Sequence, residues 1–335
     1  MRGWLVSALG LVIAAHAAGA YAWGASGHRM IGEAAIESLP DEIPAFLRTP
    51  AAAAEVGELS REPDRSRGAG KAHDADRDPG HFVDAGDDGR IGGAVSLSNL
   101  PPTREAYETA LRASGGTSWK LGYLPYSIVE DWQQLAEDFA YWRADAAAAR
   151  HAADPARKAW LEADRARREG LILADLGALS HFVGDGSMPL HASVHFNGWG
   201  DFPNPQGYTQ DRVHTPFEGA FVRQFVALAD VRTRMRPFRD CGCPMEARVG
   251  AYLADDLASV IPFYELQKAG GLAGRDPKGR DFAAAQLAAG ASELRDETVL
   301  AWRASEAMTV GWPAVEVRAI EAGGIDPYDS LAGQD

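Results

Sequence analysis

Three residues of the segment His-Phe-Val-Gly-Asp-Gly-Ser-Met-Pro-Leu-His have the chemical types and spacing of metal ligands. His181 and Asp185 are four positions apart, so on a helix both side chains project from one face. Gly186 and Pro189 would end such a helix and turn His191 back towards the pair. Imidazole and carboxylate together suit zinc, whereas calcium takes oxygen ligands throughout. The alternative interpretation is a buried polar cluster at a helix end.

The elements that must position these residues are predicted to be helices. Apolar spacing indicates helices over 159–179, just before His181, and over 248–267 and 282–308. Two more apolar stripes at helical spacing are Ile128, Trp132, Leu135, Phe139 and Trp142, and Phe217, Phe221, Phe225 and Leu228. No alternating strand pattern of useful length is present, so we predict an all-α fold.

The N-terminus predicts a secretory signal peptide over residues 1–22. It has one basic residue, a short apolar run and the small-residue site Ala-Tyr-Ala. A transmembrane anchor is the alternative, but the segment is barely long enough to span a bilayer. Cleavage after Ala22 would make Trp23 the new N-terminus of a secreted or periplasmic protein. The free α-amine and carbonyl oxygen of Trp23 could then chelate a metal, with His28 five residues further on.

The remaining chain, 23–335, is predicted to form one domain with a partly ordered cap after about residue 312. The full sequence has 47 acidic against 33 basic residues and a net charge of −14. This balance argues against electrostatic capture of long nucleic acids. Cys241 and Cys243 are the only cysteines, so they can form a local disulfide but not a four-cysteine zinc site.

Further candidate ligands lie in or beside two predicted loops, 63–102 and 197–211, which are rich in Gly and Pro. Long loops of this kind often carry function. The candidates are Asp64 and His81 in or beside the first loop, and His214 and Glu218 after the second. Asp74, Asp76 and Asp78 are alternatives to Asp64, while His73, His151 and His195 are interpreted as surface or supporting residues.

In these residues the chain resembles the superfamily of zinc-dependent phospholipases C and single-strand-specific class I nucleases. The resemblance covers about residues 23–225 and implies an α-helical domain that binds three Zn²⁺ ions. It implies one ion held by Asp64, His81, His181 and Asp185, and a second held by His191, His214 and Glu218. It implies a third ion held by Trp23, His28 and a bridging Asp185. Asp64 would also act in catalysis, by orienting the attacking water or accepting its proton.

The resemblance implies hydrolysis of phosphodiesters and leaves two substrate classes open. Trp23-Gly-x-x-Gly-His28 and the spacing from His191 to His214 are similar to the nuclease branch. Pro189-Leu-His191-Ala, Pro205-Gln-Gly207 and Glu218 are similar to the phospholipase branch. We favour phospholipase C activity on a phospholipid headgroup. The alternative is a single-strand-specific endonuclease or 3'-nucleotidase that acts on single-stranded nucleic acid or nucleotides.

Three aromatic residues are predicted to contact the substrate. Phe82 would stack on a base in a nuclease or form a wall of a headgroup pocket in a phospholipase. Trp199 and Tyr208 would line the cleft. A non-catalytic zinc-binding protein is a third hypothesis. Closed structural sites fill four positions with protein ligands, whereas His191, His214 and Glu218 would leave one position open, which favours catalysis. The sequence indicates neither a stable membrane anchor nor a protein partner.

The proposed role of the N-terminal amine gives a first testable prediction. One extra residue before Trp23 in the secreted protein should impair activity and reduce bound zinc from three ions to two, because it displaces the amine. Zinc content measured by mass spectrometry and turnover of a phosphodiester would check this. Full activity with the extension would remove the third zinc site.

Overall fold

The computed structural model describes residues 23–333, so the predicted signal peptide lies outside the described residues. The fold is predominantly helical, which confirms the all-α prediction at the level of fold class. The helices are α1 Ala25–Glu37, α2 Pro50–Leu59, α3 Glu62–Arg65, α4 Lys71–Arg77, α5 Arg104–Ala113, α6 Ser118–Leu121, α7 Leu124–His151, α8 Pro155–Asp185, α9 Val222–Phe225, α10 Leu228–Arg232, α11 Met245–Leu257, α12 Val260–Lys268, α13 Pro277–Ser305, α14 Val317–Glu321 and α15 Tyr328–Ala332. No helix in this described part is long and apolar enough to cross a membrane.

Two short hairpins and three irregular turns complete the fold. The hairpins pair β1 Arg90–Ile91 with β2 Val95–Ser96, and β3 Thr309–Val310 with β4 Val315–Glu316, both antiparallel. Short 3₁₀ turns lie at Asp78–His81 and Pro189–His191, and a π-helix lies at Pro216–Phe221. These three turns carry or directly precede predicted metal ligands, so the irregular segments position the site as much as the helices do.

The two longest helices, α8 and α13, begin where the sequence supplies capping groups. Asp154 accepts a hydrogen bond from the main-chain N–H of Ala156 at the start of α8, and Asp276 accepts one from Lys278 at the start of α13. Proline follows each cap at the first helical position, where the missing N–H has no partner to lose. Together with α1 and α7, these helices enclose the main apolar core.

Two predicted boundaries need correction. The helix predicted over 248–267 is two helices, α11 and α12, because the chain turns at Ala258 and Ser259. The predicted loop 63–102 contains α4, most of α3 and the first hairpin. The predicted cap after residue 312 packs on α7, where Val317 and Ile320 are buried in a second apolar cluster.

Cys241 and Cys243 form a disulfide.

Carboxyl groups lie in the interface between α7 and α8. Asp131, Asp138 and Asp145 are seven residues apart on α7, so they share one face. Arg168 of α8 donates a hydrogen bond to Asp138 at 2.8 Å, while both carboxyl oxygens of the buried Asp145 have no partner. Burial, with the negative charge of Asp164, raises the pKa of Asp145 to about 8.

We expect this burial to make stability depend on pH. A carboxyl with a raised pKa in the folded state binds its proton more tightly than in the unfolded chain, so stability falls as pH rises from about 4 to about 8. Asp145→Asn should therefore stabilise the protein by roughly 1–3 kcal/mol more at pH 9 than at pH 4. Urea unfolding at both pH values measures this, with the exposed Asp201→Asn as control. Equal effects at the two pH values would contradict it.

Candidate metal centre

Main-chain hydrogen bonds bring two distant ligand segments together. The segment after His81 lies beside the segment after His191, because the Val83 N–H donates to the His191 carbonyl at 2.8 Å. Two residues further on, the Val194 N–H donates to the Ala85 carbonyl at 3.0 Å. His191 in turn donates from Nδ1 to the His81 carbonyl at 2.6 Å. The two histidines are therefore held next to each other although they are 110 residues apart.

The first group of candidate ligands is His28, His181 and Asp185. The last turn of α8 presents His181 and Asp185 on one face, as the spacing predicts, with Nε2 and Oδ2 3.4 Å apart. His28 comes from α1, and its Nε2 lies 3.6 Å from Asp185 Oδ1. Gly184 makes this approach possible, because a Cβ there would lie 2.9 Å from the Nδ1 of His28.

The second group is Asp64, His81 and His181. His81 Nδ1 lies 2.9 Å from His181 Nε2 and 3.1 Å from Asp185 Oδ2, and Asp64 Oδ1 lies 4.0 Å from His181 Nε2. Among the described residues, Asp64 rather than its three alternatives joins a candidate metal group. Asp74, for example, accepts a hydrogen bond from the Gly68 N–H instead.

The third group is His191, His214 and Glu218. Glu218 lies in the π-helix, and its Oε2 is 2.9 Å from His214 Nε2 and 3.9 Å from His191 Nε2. Three of the cluster histidines follow one pattern, in which Nδ1 donates to a main-chain carbonyl and Nε2 points into a group. The donors and acceptors are His181 to Ser60, His191 to His81, and His214 to Phe196. This pattern fixes the tautomer that leaves Nε2 free to bind a metal.

Trp23 lies beside the same groups. Its indole is fully buried and contacts the ring of Phe217, with the ring centroids 5.7 Å apart. The next main-chain N–H, that of Gly24, donates to the Glu218 carbonyl at 3.2 Å. The structure therefore places the predicted N-terminal residue next to the segment that carries Glu218.

The donor atoms fit a metal cluster because most of them have no other partner. Buried polar groups in proteins are nearly always hydrogen-bonded, since an unpaired one costs about 1–3 kcal/mol. Here the buried atoms without a hydrogen-bond partner include His28 Nδ1 and Nε2, Asp185 Oδ1, His191 Nε2, His214 Nε2, and Glu218 Oε1 and Oε2. These unpartnered atoms belong to one set of converging side chains, and coordination of metal ions would satisfy them.

The protonation states also suit metal binding. Burial lowers the pKa of His181 to about 3 and that of His191 to about 4, so both imidazoles are neutral at pH 7. Burial, reinforced by the charge of Asp64, raises the pKa of Asp185 well above its usual range. An ionised Asp185 at this depth requires positive charge close by, which divalent cations would provide.

The three aromatic residues predicted to contact the substrate differ in their exposure to solvent. Phe82 is partly exposed and follows His81 directly. Trp199 and Tyr208 are only 3% and 4% exposed, so they offer little ring surface to a substrate. They pack with Tyr264, and Trp199 stacks on His195 with centroids 3.7 Å apart. Packing holds both rings in the structure, and their contact with a substrate stays a prediction.

Two residues near the groups were missed by the sequence analysis. Arg67 lies 3.2 Å from Asp64, measured from Nε to Oδ1, and the i, i+3 spacing across the end of α3 was the available signal. Ser187 accepts a hydrogen bond from the Trp23 indole at 2.9 Å. His195, interpreted as a surface or supporting residue, is fully buried and lies 3.1 Å from Asp87.

Comparison with known proteins does not assign the chain. No protein-family model matches the sequence, and no curated protein matches it.

Two buried histidines four residues apart provide a test of the metal groups. His191→Ala should reduce bound zinc by one ion per chain, because it removes one of three ligands of its group. His195→Ala is the matched control and should leave the zinc content unchanged, since His195 belongs to none of the groups. Mass spectrometry of the folded, dialysed proteins measures the ratio. Equal zinc content in the two variants would contradict the assignment.

Proposed function

We propose that this protein is a secreted, zinc-dependent hydrolase of phosphodiester bonds. The observation that carries the proposal is the convergence of three buried groups of histidines and carboxylates, two of which share His181. Asp64, His81, His181 and Asp185 would hold one zinc ion, His191, His214 and Glu218 a second, and Trp23, His28 and Asp185 a third. When bound, such ions lower the pKa of water and offset negative charge on a phosphodiester.

Asp64 and Arg67 have the properties needed at the reacting atoms. Burial raises the pKa of Asp64 to about 6, so the carboxylate is ionised at pH 7 and can accept a proton from the attacking water. The side chain is 15% exposed, in contrast to the fully buried Asp185. Arg67 pairs with Asp64, and its guanidinium is suited to hold a phosphate oxygen.

A phospholipid headgroup is the substrate we favour. The net charge of −14 would repel the backbone of a long nucleic acid. The compact headgroup ester needs only the metal groups and a small number of neighbouring side chains.

One observation supports the nuclease alternative. Phe82 is a partly exposed aromatic ring directly after the predicted ligand His81. Stacking on an aromatic side chain is a common way of holding an unpaired base. A non-catalytic zinc-binding role is less well supported, because His191, His214 and Glu218 supply three ligands and leave one position open.

Two assays test the proposal. The purified protein should hydrolyse a chromogenic phosphodiester, lose this activity with a chelator and regain it with zinc. The same preparation should then be given phosphatidylcholine and denatured DNA in parallel. Release of phosphocholine alone supports the phospholipase, and release of nucleotides alone supports the nuclease. Three bound zinc ions without turnover of any diester would favour the non-catalytic hypothesis.

A further inference from the structure

The side chain of Trp23 has one polar atom, and that atom is bonded to Ser187. The indole Nε1–H donates to Ser187 Oγ at 2.9 Å, and the Ser187 hydroxyl donates to the Gly184 carbonyl at 2.9 Å. Both side chains are buried. Ser187 follows Asp185 by two residues, so this bond ties Trp23 to the end of α8 that presents Asp185.

The other contacts of Trp23 are apolar or involve the next residue. A Cβ at Gly27 would lie 2.8 Å from the Trp23 Cβ, so the side chain packs closely against α1 just before His28. Phe217 contacts the indole ring, and Gly24 bonds to the Glu218 carbonyl. Packing confines the ring, but only the Ser187 bond is directional, since it requires the indole N–H to point at one oxygen.

Ser187 is itself held firmly in place. A Cβ at Gly290 of α13 would lie 2.7 Å from the Ser187 hydroxyl, so α13 closes over it. The Gln286 amide, also on α13, donates to the Ser187 carbonyl at 3.5 Å and to the buried Asp256 at 2.9 Å. The hydroxyl that receives the indole therefore has a fixed position relative to α8 and α13.

We propose that Ser187 is a positioning residue for a zinc ligand: by fixing the Trp23 indole, it holds the Trp23 amine and carbonyl oxygen beside His28 and Asp185. The inference rests on the proposed function and on cleavage after Ala22. Ser187 does not contact the metal in this account, and it acts only through Trp23. Loss of a residue that orients a metal ligand typically weakens metal affinity by about 10–100-fold.

The test is a double-mutant cycle on the secreted full-length chain, with the N-terminus of each purified protein determined by sequencing. Ser187→Ala and Trp23→Phe each remove one end of the hydrogen bond, and both leave the main-chain amine and carbonyl in place. Titration of the metal-free proteins with zinc against a chromophoric chelator gives the affinity of each site. We expect each variant, and the double variant, to weaken one zinc site by about 10–100-fold while the other two are unchanged.

Ser292→Ala is the matched control. Ser292 is also buried, donates to a main-chain carbonyl, that of Ala288, and accepts from a main-chain N–H, that of Arg236. Its loss should leave all three zinc affinities unchanged. If Ser187→Ala leaves all three zinc affinities unchanged, or if the losses add in the double variant, the positioning role of Ser187 is overturned. The three-zinc site would not be affected by either result. Failure of the unmodified protein to bind three zinc ions, or an N-terminus other than Trp23, would overturn the inference together with the three-zinc site.

Discussion

The cost of burying ionisable groups constrains the whole centre of this molecule. Asp185 is fully buried, and its oxygens lie within 3.6 Å of nitrogens from His28, His81 and His181, which come from three separate segments. In this structure Asp185 Oδ1 and both ring nitrogens of His28 have no hydrogen-bond partner. The helices must therefore hold a cluster that the protein alone leaves electrostatically incomplete, and metal coordination is the chemistry that would complete it.

Both the helices and the irregular segments of the fold hold candidate ligands in place. The end of α8 fixes two ligands at helical spacing, and a glycine on its surface admits His28 from α1. Three further ligands, His81, His191 and Glu218, lie on 3₁₀ and π turns, whose backbones are held by bonds between segments more than a hundred residues apart. Carbonyl acceptors for Nδ1 then aim the imidazoles, so the main chain supports the ligands directly.

The helical fold class and the ligand pairs could be predicted from the sequence, because both follow from local periodicity. His181 with Asp185, and His214 with Glu218, are pairs spaced by a single helical turn. The sequence analysis did not locate the break between α11 and α12, although Pro262, in the first turn of α12, was an available signal. The burial of Trp199 and Tyr208 could not be predicted either, because the composition of a loop does not tell whether an aromatic ring faces solvent or core. Ser187 was missed because its partner is 164 residues away.

The position of Trp23 makes the proposed metal centre depend on how the chain is processed. The nitrogen of Trp23 is an amide, with no lone pair to offer a metal, for as long as it is joined to Ala22. Under the proposed function, only export and cleavage convert that amide into an amine, so the newly made precursor would carry an unfinished catalyst. A hydrolase of phosphodiesters made in this way would be less active among the producing cell's own lipids and nucleic acids until it had left them.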